Sequence, residues 1–214
     1  MSTDRRSPPL AAPERITVVS GLPRAGTSLL MQLLAAAGIE LARDDARAPD
    51  ADNPRGYSEL AAVKGIRRDA SFLASCRGRA VKIVAPLLPA LPADQAYRVV
   101  FVERELAEVL ASQRTMLQRA GHASAAEGDP DLARAFDATL VRARAWLAAR
   151  PAIDTLFIDH RRLIEAPRPT VERLADFLVR TSADPARSEP EAARRARLDA
   201  MAAVIDPALH RQRR

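Results

Sequence analysis

A chain of 214 residues, 48% of them hydrophobic, is long enough to bury the core of one α/β domain. No apolar run reaches the ~18–20 residues of a membrane-spanning helix, and the lone cysteine, Cys76, excludes an internal disulfide or a CxxC-type zinc site, which suits a reducing cytoplasm. The formal charge of +6 rests on arginines spread along expected helices with few aromatics among them, a pattern that fits attraction of a small polyanion and argues against a nucleic-acid platform.

Met1 to Pro13 mixes charges with prolines and lacks an apolar signal core, so it reads as a disordered leader before a single domain over residues 14–214. Ile16 to Ser20 is a short β-branched run, predicted as a buried strand. Gly21 to Gly26 is a turn. The following helix carries Leu29, Leu30, Leu33, Leu34 and Ala37 on one face, and Gly38 ends it. Arg43 to Gly56 is polar and proline-containing, hence a loop, and a helix is predicted from Ser58 to Ser75. Ala80 to Val84 is a second strand, and Pro86, Pro89 and Pro92 force short turns after it.

Tyr97 to Val102 is a third strand, followed by a helix over Leu106 to Arg119, a loop over Gly121 to Gly128 and a long helix over Asp131 to Arg150. Thr155 to Ile158 is a fourth strand, Pro167 and Pro169 introduce a helix over Thr170 to Val179, and the Ala/Arg-rich tail is helical. Strands alternating with helices predict a three-layer, P-loop-NTPase-like α/β fold with a central, mostly parallel sheet of four to five strands. In such sheets ligands bind beyond the carboxyl ends of the strands, which directs attention to the loops after Ser20, Val84, Val102 and Ile158.

The first of these loops, Gly21-Leu-Pro-Arg-Ala-Gly26-Thr27-Ser28, has the spacing of a Walker A loop with Thr27 in place of its lysine. Backbone N–H groups ahead of a helix form an anion cradle, and the Thr27 and Ser28 hydroxyls add donors. The missing lysine argues against an ordinary ATPase, and the positive charge sits inside the loop as Arg24, where a guanidinium can hold the bridging oxygen of a phosphate leaving group.

Pro23-Arg24-Ala25-Gly26-Thr27-Ser28 resembles the 5′-phosphosulfate loop of sulfotransferases that use 3′-phosphoadenosine 5′-phosphosulfate (PAPS), closest to the branch with Pro-Arg-Ser-Gly-Thr-Thr/Ser. Arg104, at the end of the third strand, and Ser112, eight residues later, resemble the pair that reaches the 3′-phosphate in that family. His160 stands where a tyrosine near the adenosine is common, and Asp52 to Tyr57, Ala111 to Leu117 and Asp206 to Arg211 are similar to segments of small bacterial members. The resemblance spans Ile16 to about Val179. It implies that Pro23, Arg24, Ala25, Gly26, Thr27, Ser28, Arg104, Ser112 and His160 bind PAPS or its product PAP, with no metal required.

The sequence departs from the family in two places. Val84 stands where cytosolic members carry a histidine base two residues after the lysine matched by Lys82; resemblance to members with a carboxylate base points instead to Asp44, beside Asp45, with Glu59 as its rival, the alternative being that all three are solvated loop acids. The glycine-rich basic lid over the 3′-phosphate is also absent, and Arg211, Arg213 and Arg214 are what the tail offers instead. The resemblance implies in-line transfer of a sulfuryl group from PAPS to a hydroxyl or amine on a small molecule or sugar, in the cytoplasm, with Arg24 and Asp44 or Glu59 catalytic and no nucleic-acid or membrane partner. A non-catalytic adenine-nucleotide-binding module and a degenerate P-loop kinase are the alternatives. The acceptor and the oligomeric state are left open.

Overall fold

Four strands form the centre of the molecule: β1 (Ile16–Gly21), β2 (Ala80–Lys82), β3 (Tyr97–Glu103) and β4 (Asp154–Asp159). All pair in parallel in the order β2-β1-β3-β4. The computed structural model describes residues 15–44, 56, 58–119, 130–181 and 190–206. The expected leader, Asp45, the Asp52 to Tyr57 string except Gly56, the 121–128 loop and the tail arginines Arg211, Arg213 and Arg214 lie outside the described residues.

β1 and β3 are buried because their β-branched and aromatic side chains alternate between two cores, one on each face of the sheet. Val19, Val100, Val102 and Ile158 face one core with α1 (Thr27–Ala36), the start of α2 (Leu106–Arg119), α4 (His160–Glu165), α5 (Pro167–Arg180) and α6 (Glu191–Val204). Ile16, Val18, Val81, Val99 and Phe101 face the other with α3 (Pro130–Ala148) and the turns that flank β2. This is the three-layer α/β arrangement expected, with four strands and parallel pairing throughout. Gly38 (φ 84°) ends α1 as expected, donating its N–H to Ala35 O at 2.9 Å.

The predicted helix over Ser58 to Ser75 is not formed. Two 3-10 turns, Ala61–Gly65 and Ser71–Cys76, stand in its place. Gly65 ends the first, and Asp69 Oδ1 accepts from Ser71 N at 2.9 Å, a local bond that competes with helix continuation. Tertiary burial of Val63, Ile66, Leu73 and Cys76 then decides the path. β2 is shorter than predicted because the chain turns toward Pro86, although Ile83 N still donates to Val19 O at 2.9 Å. α4, unpredicted, is started by Asp159, whose side chain accepts from Arg162 N. Among the described residues no helix is long and apolar enough to cross a membrane.

At the end of the sheet away from the strand carboxyl termini, Arg98 is buried with no carboxylate bonded to it among the described residues. Its guanidinium donates to Thr17 Oγ1 (2.8 Å), Leu178 O (2.7 Å) and Thr181 Oγ1 (3.2 Å), fastening the C-terminus of α5 to the sheet. Beside it in sequence, Tyr97 is buried with no hydrogen-bond partner for its hydroxyl among the described residues. Burial first, then the charges of Asp94 and Cys76, push the phenol up to about 12. The folded phenol therefore holds its proton more tightly than the unfolded one, so its contribution is whole below about pH 10 and is lost as pH rises to about 12. Tyr97→Phe should remove a loss on the order of 1–3 kcal/mol over that window while changing stability little at neutral pH. Urea denaturation at pH 8, 10 and 11.5 checks this, and parallel curves for the two proteins would refute it.

Candidate functional site

The strand register brings the loops together. Gly21 pairs with Val102, Val19 with Lys82, and Glu103 with Asp159, so the segments that leave β1, β2, β3 and β4 emerge side by side. β1 lies between β2 and β3 at the point where the chain changes direction across the sheet, the usual ligand crevice of such folds.

Beyond β1 the chain folds tightly, with Ala25 N donating to Leu22 O at 3.1 Å. Arg24 adopts a left-handed conformation (φ 69°), rare for a residue with a side chain, and Gly26 has φ 108°. Pro23 and Ser28 are half-buried, Ala25 and Thr27 buried. α1 begins at Thr27 behind Gly26, with no acidic residue in its first turn, so no carboxylate there opposes an anion at the positive end of the helix. His160 packs against Gly26 so closely that a Cβ there would lie 2.5 Å from its Cδ2. Histidine and anion loop are therefore in direct contact.

The second predicted element meets the first. Arg104 Nη1 donates to Arg24 O at 3.2 Å, and Arg24 Nε donates to Ser112 Oγ at 3.1 Å. Arg24 Nη1 also reaches Met116 Sδ at 3.9 Å, so its guanidinium lies along α2. Arg104 Nε is paired with the buried Glu108, one turn before Ser112 on the same helix, at 2.9 Å. The β1 loop and the β3–α2 unit thus form one cationic site.

Lys82, which the sequence reading left out of the site, is the third component. Its side chain is 5% exposed, and its Nζ lies 3.2 Å from Ser28 Oγ and 3.5 Å from Glu59 Oε1. The ammonium missing from the loop is thus delivered to Ser28 by the neighbouring strand. A signal existed: Lys64 and Lys82 are the lysines of an arginine-rich chain, and Lys82 stands near the carboxyl end of a strand. Glu59 joins this cluster, while Asp44 holds it in place. Asp44 N donates to Glu59 O at 2.9 Å, and Asp44 Oδ2 accepts from Ala61 N at 2.6 Å. Glu108 and Arg161, which donates to Glu108 Oε1 at 3.2 Å, were also missed, because an acid four residues after an arginine reads as an ordinary helix pair. Among the described residues no cluster of three or more His, Cys, Asp or Glu side chains is placed to hold a metal ion.

No protein-family model and no curated protein matches this sequence. Among solved structures, the chain is similar to the sulfotransferase domain of the Synechococcus PCC 7002 olefin synthase, with a TM-score of 0.50 and 17% identity over 97% of this chain and 90% of that one. It is also similar to a sulfotransferase from Alicyclobacillus acidocaldarius, at 14% identity and a TM-score of 0.46 over 92% of this chain and 99% of that one. The first likeness shows a shared fold.

Proposed function

We propose that this chain is a sulfotransferase that takes PAPS as donor and passes its sulfuryl group to a hydroxyl or amine of a small molecule or sugar. The observation that carries the proposal is the bonded link from Arg104 through Arg24 to Ser112, which joins two anion-binding elements from different strands into one site. A donor with phosphates at both its 5′ and 3′ ends matches such a site, and one charged at a single end leaves half of it unused. The fold likeness supports the same reading.

In this reading the 5′-phosphosulfate lies on the Pro23–Ser28 loop and the first turn of α1, the 3′-phosphate on Arg104 and Ser112, and the adenosine near His160. The donor supplies an activated sulfur bonded to a phosphate oxygen. This chain's residues position the acceptor and stabilise charge as it moves onto the departing phosphate. Lys82, Thr27, Ser28 and the loop amides are the donors for that charge, while the Arg24 guanidinium, expected from the sequence at the leaving group, is turned along α2 toward Ser112. Glu59, half-exposed and held beside Lys82 at the Ser28 end of the loop, accepts the acceptor's proton. Asp44, through Glu59 O and Ala61 N, sets the position of Glu59 and is a positioning residue rather than the base.

The test is ligand-induced stabilisation by PAP against ATP–Mg²⁺. PAP at 100 times its Kd should stabilise the fold by about 2.7 kcal/mol, a rise in melting temperature of about 5–10 °C for a chain of this size. A larger shift with ATP–Mg²⁺ would favour a kinase-like protein and reject this reading. Stabilisation by PAP with no transfer from PAPS to any acceptor would leave a nucleotide-binding module.

A further inference from the structure

We infer that the open edge of β4, with the groove between it and α3, is the contact face for a second copy of this chain, the two β4 strands running antiparallel about a two-fold axis. Among the described residues β4 pairs only with β3, so its other edge leaves backbone donors and acceptors unmatched. The usual protections of such an edge are thin. β4 has no proline, and its interior, Thr155 to Ile158, carries no charge. Beside it runs an open groove of about 610 Å³, walled by Leu147, Ala148 and Pro151 on one side and by Ile153, Thr155 and Phe157 on the other. Phe157 (38% exposed) and Val141 (60%) are the exposed large hydrophobic side chains among the described residues. Val141, Arg144 and Ala148 follow i, i+3, i+7 spacing on α3, so Val141 extends the helix wall of the groove. One exposed hydrophobe is ordinary, but two beside an open strand edge mark an interface.

The occupant follows from geometry and charge. Antiparallel pairing of two identical strands sets the two-fold axis normal to the sheet, so both α3 helices lie on one face and the two grooves join into one trough. Residues opposite one another then point to the same face. Asp154 and Asp159 point to opposite faces of β4, so this symmetry never sets these two carboxylates against each other. A register centred on Leu156 places Thr155 against the partner's Phe157, and Ile153 against the partner's Asp159. Ile153 N donates to Arg150 O at 2.9 Å, so Arg150 stands one turn from that carboxylate. Arg150 lies 4.0 Å from the centroid of the Trp146 ring, bonds Trp146 O at 3.1 Å and has no carboxylate partner among the described residues. Asp159 is exposed and accepts from Arg162 N at 2.9 Å, with no ion pair among the described residues. The other charges of this edge are already answered, Glu103 by Arg144 at 2.7 Å and Asp154 by Arg15. The cationic end of one groove thus meets the acidic end of the other, twice per dimer.

Sedimentation equilibrium of the full chain over a concentration series tests this, and the wild type should associate to a dimer. Val141→Asp and Phe157→Lys should each weaken association by about 10-fold or more. Phe157 packs on Phe101, with ring centroids 5.6 Å apart, so its variant also strains the fold; the exposure of Val141 keeps the other variant folded, and melting curves verify both. Arg150→Asp should weaken the dimer by about 10-fold, and adding Asp159→Arg should recover most of that loss, which only a contact between those two positions allows. A wild type that stays monomeric at every concentration, or a dimer untouched by all these variants, would overturn the proposal. A monomer that dimerises only after removal of residues 1–14 would assign the edge to the chain's own N-terminal segment and overturn it equally.

Discussion

Exchanging Lys82 for methionine is expected to lower sulfuryl transfer by about 10²–10³ while PAP binds within a few-fold of wild type. Lys82 Nζ stands at Ser28 Oγ, where the first turn of α1 meets the loop, so in the proposed reaction its charge would act on the sulfuryl end of the donor. PAP lacks that group, so its affinity should depend little on Lys82. Methionine fills much of the volume of the buried lysine stem, and the Glu59 partner left behind is 39% exposed and can be solvated, so the fold should persist. Glu59→Gln should reduce turnover by about 10²–10⁴ as expected for loss of a general base. Asp44→Asn keeps an acceptor for Ala61 N and should cost far less. Single-turnover transfer from PAPS, measured alongside PAP affinity, reads all three. Full turnover in the lysine variant would remove Lys82 from the chemistry, and a large loss in Asp44→Asn with normal Glu59→Gln would reverse the two carboxylates.

Gly26→Ala should cost at least about 100-fold in PAP affinity and lower the melting temperature. Two independent effects act at this position. The backbone has φ 108°, where a residue with a Cβ is strained by roughly 1–3 kcal/mol. The added methyl would also sit 2.5 Å from His160 Cδ2 and 3.1 Å from its Nε2. His160 is buried, so its ring has little room to yield, and the turn that aims the α1 N–H groups must shift instead. Adding His160→Ala to Gly26→Ala relieves the overlap but not the strain, so the double variant should regain part of its stability. Calorimetric melting and PAP titration of the single and double variants decide the matter, and wild-type affinity in Gly26→Ala would show that the loop is not the anion cradle.

Much of this architecture is legible in short stretches. Ile16–Gly21 and Tyr97–Glu103 are β-branched runs bounded by glycine or charge, and α1 shows apolar spacing followed by a left-handed Gly38. The strand-to-helix turn is equally local, because glycine placement between strand and helix is a backbone requirement written into neighbouring residues. The 58–75 segment misled for the opposite reason. Its helix-forming residues are overridden by Gly65, by the Asp69–Ser71 bond and by burial against β2 and its flanking turns.

Residue order alone marks the four strands, the helices α1, α2, α3 and α5, and the glycine-bounded turn after β1. Which charges face one another is set by long-range packing. Arg24 meets Ser112 across 88 residues, Arg104 meets the Arg24 carbonyl across 80, and Lys82 meets Ser28 across 54. Those meetings follow from parallel strand register and from two-sided burial of β1 and β3, which are long-range constraints with no local signature. The contacts of Glu59 with Lys82 and of Arg104 and Arg161 with Glu108 depend on the same packing, because they exist only once the ends of the strands are held side by side.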